Sequence, residues 1–126
     1  IDTTASLMLE SGTFSDNEGN YGGALRVKGG STLFEADNVI FDSNIANHTG
    51  AGIHFASSAD AIIDTCEFVD NVSPSGKPTL NNSGDTIEII DSDFSGSADY
   101  DMKSGGTSYL WETVAVGVLC DSTGCS

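Results

Sequence analysis

Four segments of the chain share one hydrophobic spacing: "LMLESGTF" (7–14), "FEADNVIF" (34–41), "AIIDTCEF" (61–68) and "IEIIDSDF" (87–94). Each ends on a phenylalanine, so Phe14, Phe41, Phe68 and Phe94 recur at intervals of 27, 27 and 26 residues. Seven positions before each Phe stand Leu7, Phe34, Ala61 and Ile87, and five before stand Leu9, Ala36, Ile63 and Ile89. Two before come Gly12, Val39, Cys66 and Ser92; three after come Asn17, Asn44, Asn71 and Ser97. The seventh and fifth positions alternate with polar or mixed ones, the period of a strand with one buried face. The step from the fifth to the second position breaks that period. It predicts a bend followed by a second short strand.

Beyond each Phe-x-x-Asn the chain turns polar and then reads "GGALRV" (22–27), "GAGIHF" (50–55) or "PTLNNS" (78–83). Leu25 and Val27, and Ile53 and Phe55, again alternate and can point inward. Each unit thus holds three short strands separated by bends, and no unit can bury its apolar side alone. No segment has a helical period. Stacking the units meets the burial requirement, which predicts an all-β chain wound as a right-handed parallel β-helix of about four to five coils. Equivalent residues would then lie about 4.8 Å apart on successive coils. Phe14, Phe41, Phe68 and Phe94 would form an aromatic ladder, and Asn17, Asn44 and Asn71 a ladder of side-chain amides. The glycines would serve a second corner, where positive φ or close approach is needed.

Repeated Phe-x-x-Asn and Gly-Gly-Ala-Ile/Leu/Val tetrapeptides resemble the chlamydial polymorphic outer-membrane protein repeat and related pectate-lyase-like β-helix repeats. The matching stretches are "FSDN", "GGAL", "FDSN", "GAGI" and "FVDN", covering about Leu7 to Asn71. A weaker continuation reaches about Ser104, where "FSGS" replaces the Asn and "PTLN" the glycines. The resemblance implies the coil type. It is shared by adhesins, passenger domains, lyases and filaments alike, so it does not select an activity.

Residues 1–106 read as coils, and 107–126, "TSYLWETVAVGVLCDSTGCS", as a final irregular coil or cap. An open end exposes unpaired strand edges, and a Trp-containing terminus closed by a Cys120–Cys125 disulfide could cover one. Nothing equally plain stands at the start, so the first coil reads as raw. Cys66 falls in a hydrophobic column and reads as a small buried apolar residue.

Composition narrows the function classes. Nineteen acidic against four basic residues give the 126-residue chain a formal net charge of −15, which argues against nucleic acid or an anionic membrane as partner. No apolar run approaches the roughly 20 residues of a membrane span. The chain opens at Ile1, as a mature product or an excised segment would. Three Asn-x-Ser/Thr sequons, at Asn47, Asn71 and Asn81, fit a secreted or cell-surface protein. Asn71 belongs to the repeat and its sequon precedes Pro74, so Asn47 and Asn81 are the glycosylation candidates.

The candidate chemistry lies on outward columns. Four positions before the Phe stand Glu10, Asp37 and Asp64, then Ile90. Carboxylates on adjacent coils could bind a divalent cation such as Ca2+, or act as an acid/base pair on a polysaccharide. They could equally form a plain solvated face. Asp91, Asp93, Asp99 and Asp101 form a second acidic group with the same ambiguity. The only basic residues are Arg26, Lys28, Lys77 and Lys103. Arg26, His54, Asn81 and Lys103 follow the inward Leu25, Ile53, Leu80 and Met102, predicting a sparse polar or basic stripe on one side of the coil and the acidic one on another. Such stripes suit lateral self-association. His48 and His54 read as surface residues.

The expectation is therefore a non-enzymatic extracellular structural or adhesive module, self-associating or carried in a larger surface or filament protein. The alternative is a carbohydrate-binding or carbohydrate-active module using the acidic face.

Overall fold

Alternating burial along Leu7–Glu10 and again along Thr86–Ile90 is what a strand with one covered face produces, and strands account for the architecture throughout. A computed structural model describes residues 6–28, 32–56, 59–83, 86–95, 100–104, 107–111 and 118–120, among which there is no helix. The fold is all-β. In chain order the strands are β1 (Leu7–Ser15), β2 (Glu18–Tyr21), β3 (Leu25–Lys28), β4 (Thr32–Asp42), β5 (Ile45–Thr49), β6 (Ile53–Ala56) and β7 (Ala59–Asp64). There follow β8 (Glu67–Val69), β9 (Pro78–Ser83), β10 (Thr86–Ile90), β11 (Asp93–Ser95), β12 (Tyr100–Ser104), β13 (Thr107–Trp111) and β14 (Val118–Cys120).

Three sheets form, and every strand pairing among the described residues is parallel. The first sheet runs β11-β8-β4-β7-β10-β13, with β1 also on β4; the second runs β14-β12-β9-β6-β3; the third is β2-β5. The register pairs residues of equal repeat phase: Phe34 lies between Leu7 and Ala61, and Phe41 between Phe14 and Phe68. Pairing by phase gathers each apolar column into one core. Phe34, Ala36, Val39, Phe41, Ile63, Cys66, Phe68, Ile87 and Ile89 are all buried in it.

The break between the fifth and second columns is made by residues in the left-handed region. Ser11, Asn38, Thr65 and Asp91, each three before a Phe, have φ of 56°, 56°, 53° and 44°. Asp16, Ser43 and Asp70, two after a Phe, repeat the device at 55°, 55° and 49°. Short polar side chains tolerate this conformation best, which is why Ser, Asn and Asp dominate both columns. The predicted division into two strands needs one correction. β1 and β4 each run as one strand across the bend, paired on both sides of it with only Ser11 and Asn38 left out of the register; β7 and β8, and β10 and β11, are separate.

Glycine makes the other corner. Gly22 and Gly50 have φ of 76° and 71°, and a Cβ on Gly22 would lie 2.1 Å from the Leu25 carbonyl oxygen. The second unit carries one extra residue before its glycine. It is absorbed where the β2–β5 register slips from Gly19–Ala46 to Tyr21–Thr49.

Of the stretch 107–126, read as a final irregular coil or cap, the described residues 107–111 and 118–120 pair with the sheets. β13 pairs in register with β10, Glu88 opposite Tyr109, and β14 pairs with β12. Cys125 lies outside the described residues, as does the side chain of Cys120, so the Cys120–Cys125 disulfide falls outside what the structure describes.

Candidate functional site

Two outward columns and one corner carry the chemistry. Strands β1, β4 and β7 set Glu10 opposite Asp37 and Asp37 opposite Asp64, so the three carboxylates form one row. A row is not a cage. Side chains of neighbouring parallel strands project side by side, about 4.8 Å apart, whereas calcium takes roughly six to eight oxygens around it. Thr65 Oγ1 also donates to Asp64 Oδ1 at 2.9 Å. Among the described residues no group of three or more His, Cys, Asp or Glu side chains could hold a metal ion, so the expected cation site at Glu10, Asp37 and Asp64 is not assembled. Asp91 and Asp93 are exposed; Asp99 and the side chain of Asp101 lie outside the described residues.

The second column corrects the predicted basic stripe. Register places Arg26 beside His54, His54 beside Asn81 and Asn81 beside Lys103. Yet His54 is only 6 % exposed and Asn81 7 %. Asn81 Nδ2 donates to His54 Nδ1 at 3.0 Å and to Ser83 Oγ at 2.9 Å. This arrangement makes Nδ1 the acceptor, so the imidazole carries its proton on Nε2. Burial first, then the nearby Arg26 charge, lowers the His54 pKa from 6.5 to about 4. Neither His54 as a surface residue nor Asn81 as a glycosylation site survives. A buried amide with both hydrogens engaged leaves no room for a glycan in this fold. Asn47 is exposed, its Nδ2 3.2 Å from Glu18 Oε1.

Beside His54 lies Tyr21. Its ring lies 5.4 Å from that of His54, stacks on His48 at 4.8 Å with 3° between planes, and carries the Arg26 guanidinium 5.1 Å from its centroid. Tyr21 was not singled out from the sequence, although the signal was present. Tyr21 and His48 both stand seven residues after a repeat Phe.

The inner columns are used on one another. Ring centroids are 5.4 Å apart for Phe14–Phe41, 4.8 Å for Phe41–Phe68 and 4.4 Å for Phe68–Phe94, all near parallel. Asn17 Nδ2 donates to Asn44 Oδ1, and Asn44 Nδ2 to Asn71 Oδ1, each at 2.9 Å. The second hydrogens of Asn44 and Asn71 go to the carbonyls of Phe14 and Phe41, at 2.9 and 2.7 Å. Cys66 is buried, its Sγ 3.2 Å from the Asp64 carbonyl oxygen; burial, above all, raises its pKa to about 11 and keeps the thiol protonated and inert.

No family model matches the chain, and neither a curated protein nor a solved structure matches it.

Proposed function

We propose that the chain is a segment of a right-handed parallel β-helix, its three sheets the faces of successive coils. On this reading it serves as an extracellular structural or adhesive module that self-associates or belongs to a larger surface or filament protein. The repeat resembles that of the polymorphic outer-membrane proteins, which supports the coil type. One observation carries the functional reading: buried Asn44, Asn71, Asn81 and His54 spend their side-chain hydrogen bonds on one another and on the backbone of the fold. Asn44, Asn71, Asn81 and His54 are joined in ladders that fix register, the use expected of a scaffold.

The carboxylate row Glu10–Asp37–Asp64 is the observation favouring the second reading, a carbohydrate-binding or carbohydrate-active face. Asp37→Asn with Asp64→Asn separates the two. A module keeps the particle size and mass it shows by negative-stain imaging and light scattering. Loss of polysaccharide binding or turnover in the double variant, with those measurements unchanged, would reject the module reading in favour of the carbohydrate one.

A further inference from the structure

The ladders obey a rule that stops abruptly at one end. Asn44 shows it whole, giving one Nδ2 hydrogen to Asn71 Oδ1 and the other to the carbonyl of Phe14 in the unit before, and Asn71 repeats the second half on the Phe41 carbonyl. Asn17 and Asn44 also give their backbone N–H to the next Oδ1, at 3.1 Å to Asn44 and 3.0 Å to Asn71. Asn17 completes only the forward half. Among the described residues nothing donates to its Oδ1, no Phe carbonyl receives its second hydrogen, and the residue is exposed where Asn44 and Asn71 are buried.

The apolar residues agree. Leu7, Leu9, Phe14 and Leu25 are only partly buried, and all belong to β1 or β3, although Val27 of β3 is fully buried. Among the described residues these two strands and β2 each have a partner strand on one side only, so all three edges lie at the same end. The opposite end differs. Phe94 is 4 % exposed, so the ring face turned away from Phe68 is covered, and β13 and β14 extend the sheets beyond it.

We infer that the edge of β1, β2 and β3 is a docking face for one further Phe-x-x-Asn segment, paired in parallel and in register. Its chemistry follows from the rule. It must bring an aromatic ring to lie over Phe14, a carbonyl on that same residue for Asn17 Nδ2, and an Asn three residues on whose N–H and Nδ2 both reach Asn17 Oδ1. A second copy cannot supply this through its own far end, because the Phe94 face is covered. Two copies meeting edge to edge about a two-fold axis would align β1 antiparallel and put the amides out of register. The inference rests on the stacked-coil reading proposed above.

The test grafts one unit. A copy of residues 32–58 placed directly before Ala5 sets the copied Phe41 27 residues ahead of Phe14, the spacing of the Phe14–Phe41 register. A second graft carries Phe41→Ser and Asn44→Ser within the copy alone. The intact graft should raise the thermal midpoint by at least about 4 °C and slow amide exchange in β1 at least tenfold, while the substituted graft does neither. Equal behaviour of the two grafts, or no gain from the intact one, overturns the docking face. So does a concentration-dependent dimer of the ungrafted chain that persists after grafting. Exchange at the Asn44 and Asn71 side-chain amides reports separately on the stack itself. If they are unprotected in the ungrafted protein, the stacked-coil reading fails; if they are protected and the graft gains nothing, only the docking face fails.

Discussion

Asn44 gives one amide hydrogen to Asn71 Oδ1 and the other to the Phe14 carbonyl, both at 2.9 Å, and so ties together three neighbouring strand ends from a fully buried position. Replacing it takes the side-chain donor from the Phe14 carbonyl and leaves Asn71 Oδ1 with only the Asn44 backbone N–H. Asn44→Asp keeps the shape and removes the donors, so it should cost about 3 kcal/mol or more, comparable to or beyond Asn44→Ala. Urea unfolding at neutral pH measures this. An aspartate variant as stable as the parent would remove the donor role.

Phe68 lies between two rings, at 4.8 and 4.4 Å, whereas Phe14 is the end of the stack and only partly buried. Phe68→Ala should therefore cost about 3–5 kcal/mol and Phe14→Ala about 1–2 kcal/mol. The same unfolding experiment decides it, and equal losses would contradict a one-sided end.

The row Glu10–Asp37–Asp64 sets like charges side by side in register. Asp37→Asn should stabilise the fold by about 0.5 kcal/mol at low salt, with the gain fading as salt screens the row. Midpoints measured in dilute buffer and in high salt test the claim. Were calcium to stabilise the parent and not this variant, the row would be a cation site after all.

His54 titrates at about 4 in the fold against 6.5 unfolded. The unfolded chain takes up the proton first, so this stability is present above about pH 6.5 and is lost as pH falls from there toward 4. Its size is roughly 2 kcal/mol, allowing for partial solvent screening. His54→Gln should flatten that part of the pH–stability curve relative to the parent; matching curves would discount the imidazole. Carboxylates titrate in the same range, so the difference between the two proteins is the quantity to read.

Thr65 holds φ of 53°, unfavourable for a β-branched residue, while Asn38 fills the equivalent place one unit earlier at 56°. Thr65→Asn should stabilise by about 0.5–1 kcal/mol. A thermal melt checks the direction, and destabilisation would mean that the Thr65–Asp64 hydrogen bond outweighs the strain.

Which residues become neighbours was legible in the sequence. Counting from each Phe put Phe14, Phe41 and Phe68 in one column and Asn17, Asn44 and Asn71 in another, and parallel register joins residues of equal phase. Spacing along the chain is local information, and in-register pairing converts it directly into contacts. The polar residues of the left-handed bends were visible too, but only as an interrupted period.

What the tertiary structure alone decided was which outward columns stay outward. His54 and Asn81 have the phase of exposed residues, yet both are buried, with the Tyr21 ring beside His54. No count along one strand registers a ring arriving from another element. The same holds for the acidic row, since phase placed Glu10, Asp37 and Asp64 on neighbouring strands while only their directions in space determine whether carboxylates converge on a cation. It holds again for the ends, because an identical Phe closes the core at Phe94 and leaves it partly open at Phe14 according to what lies beyond each ring.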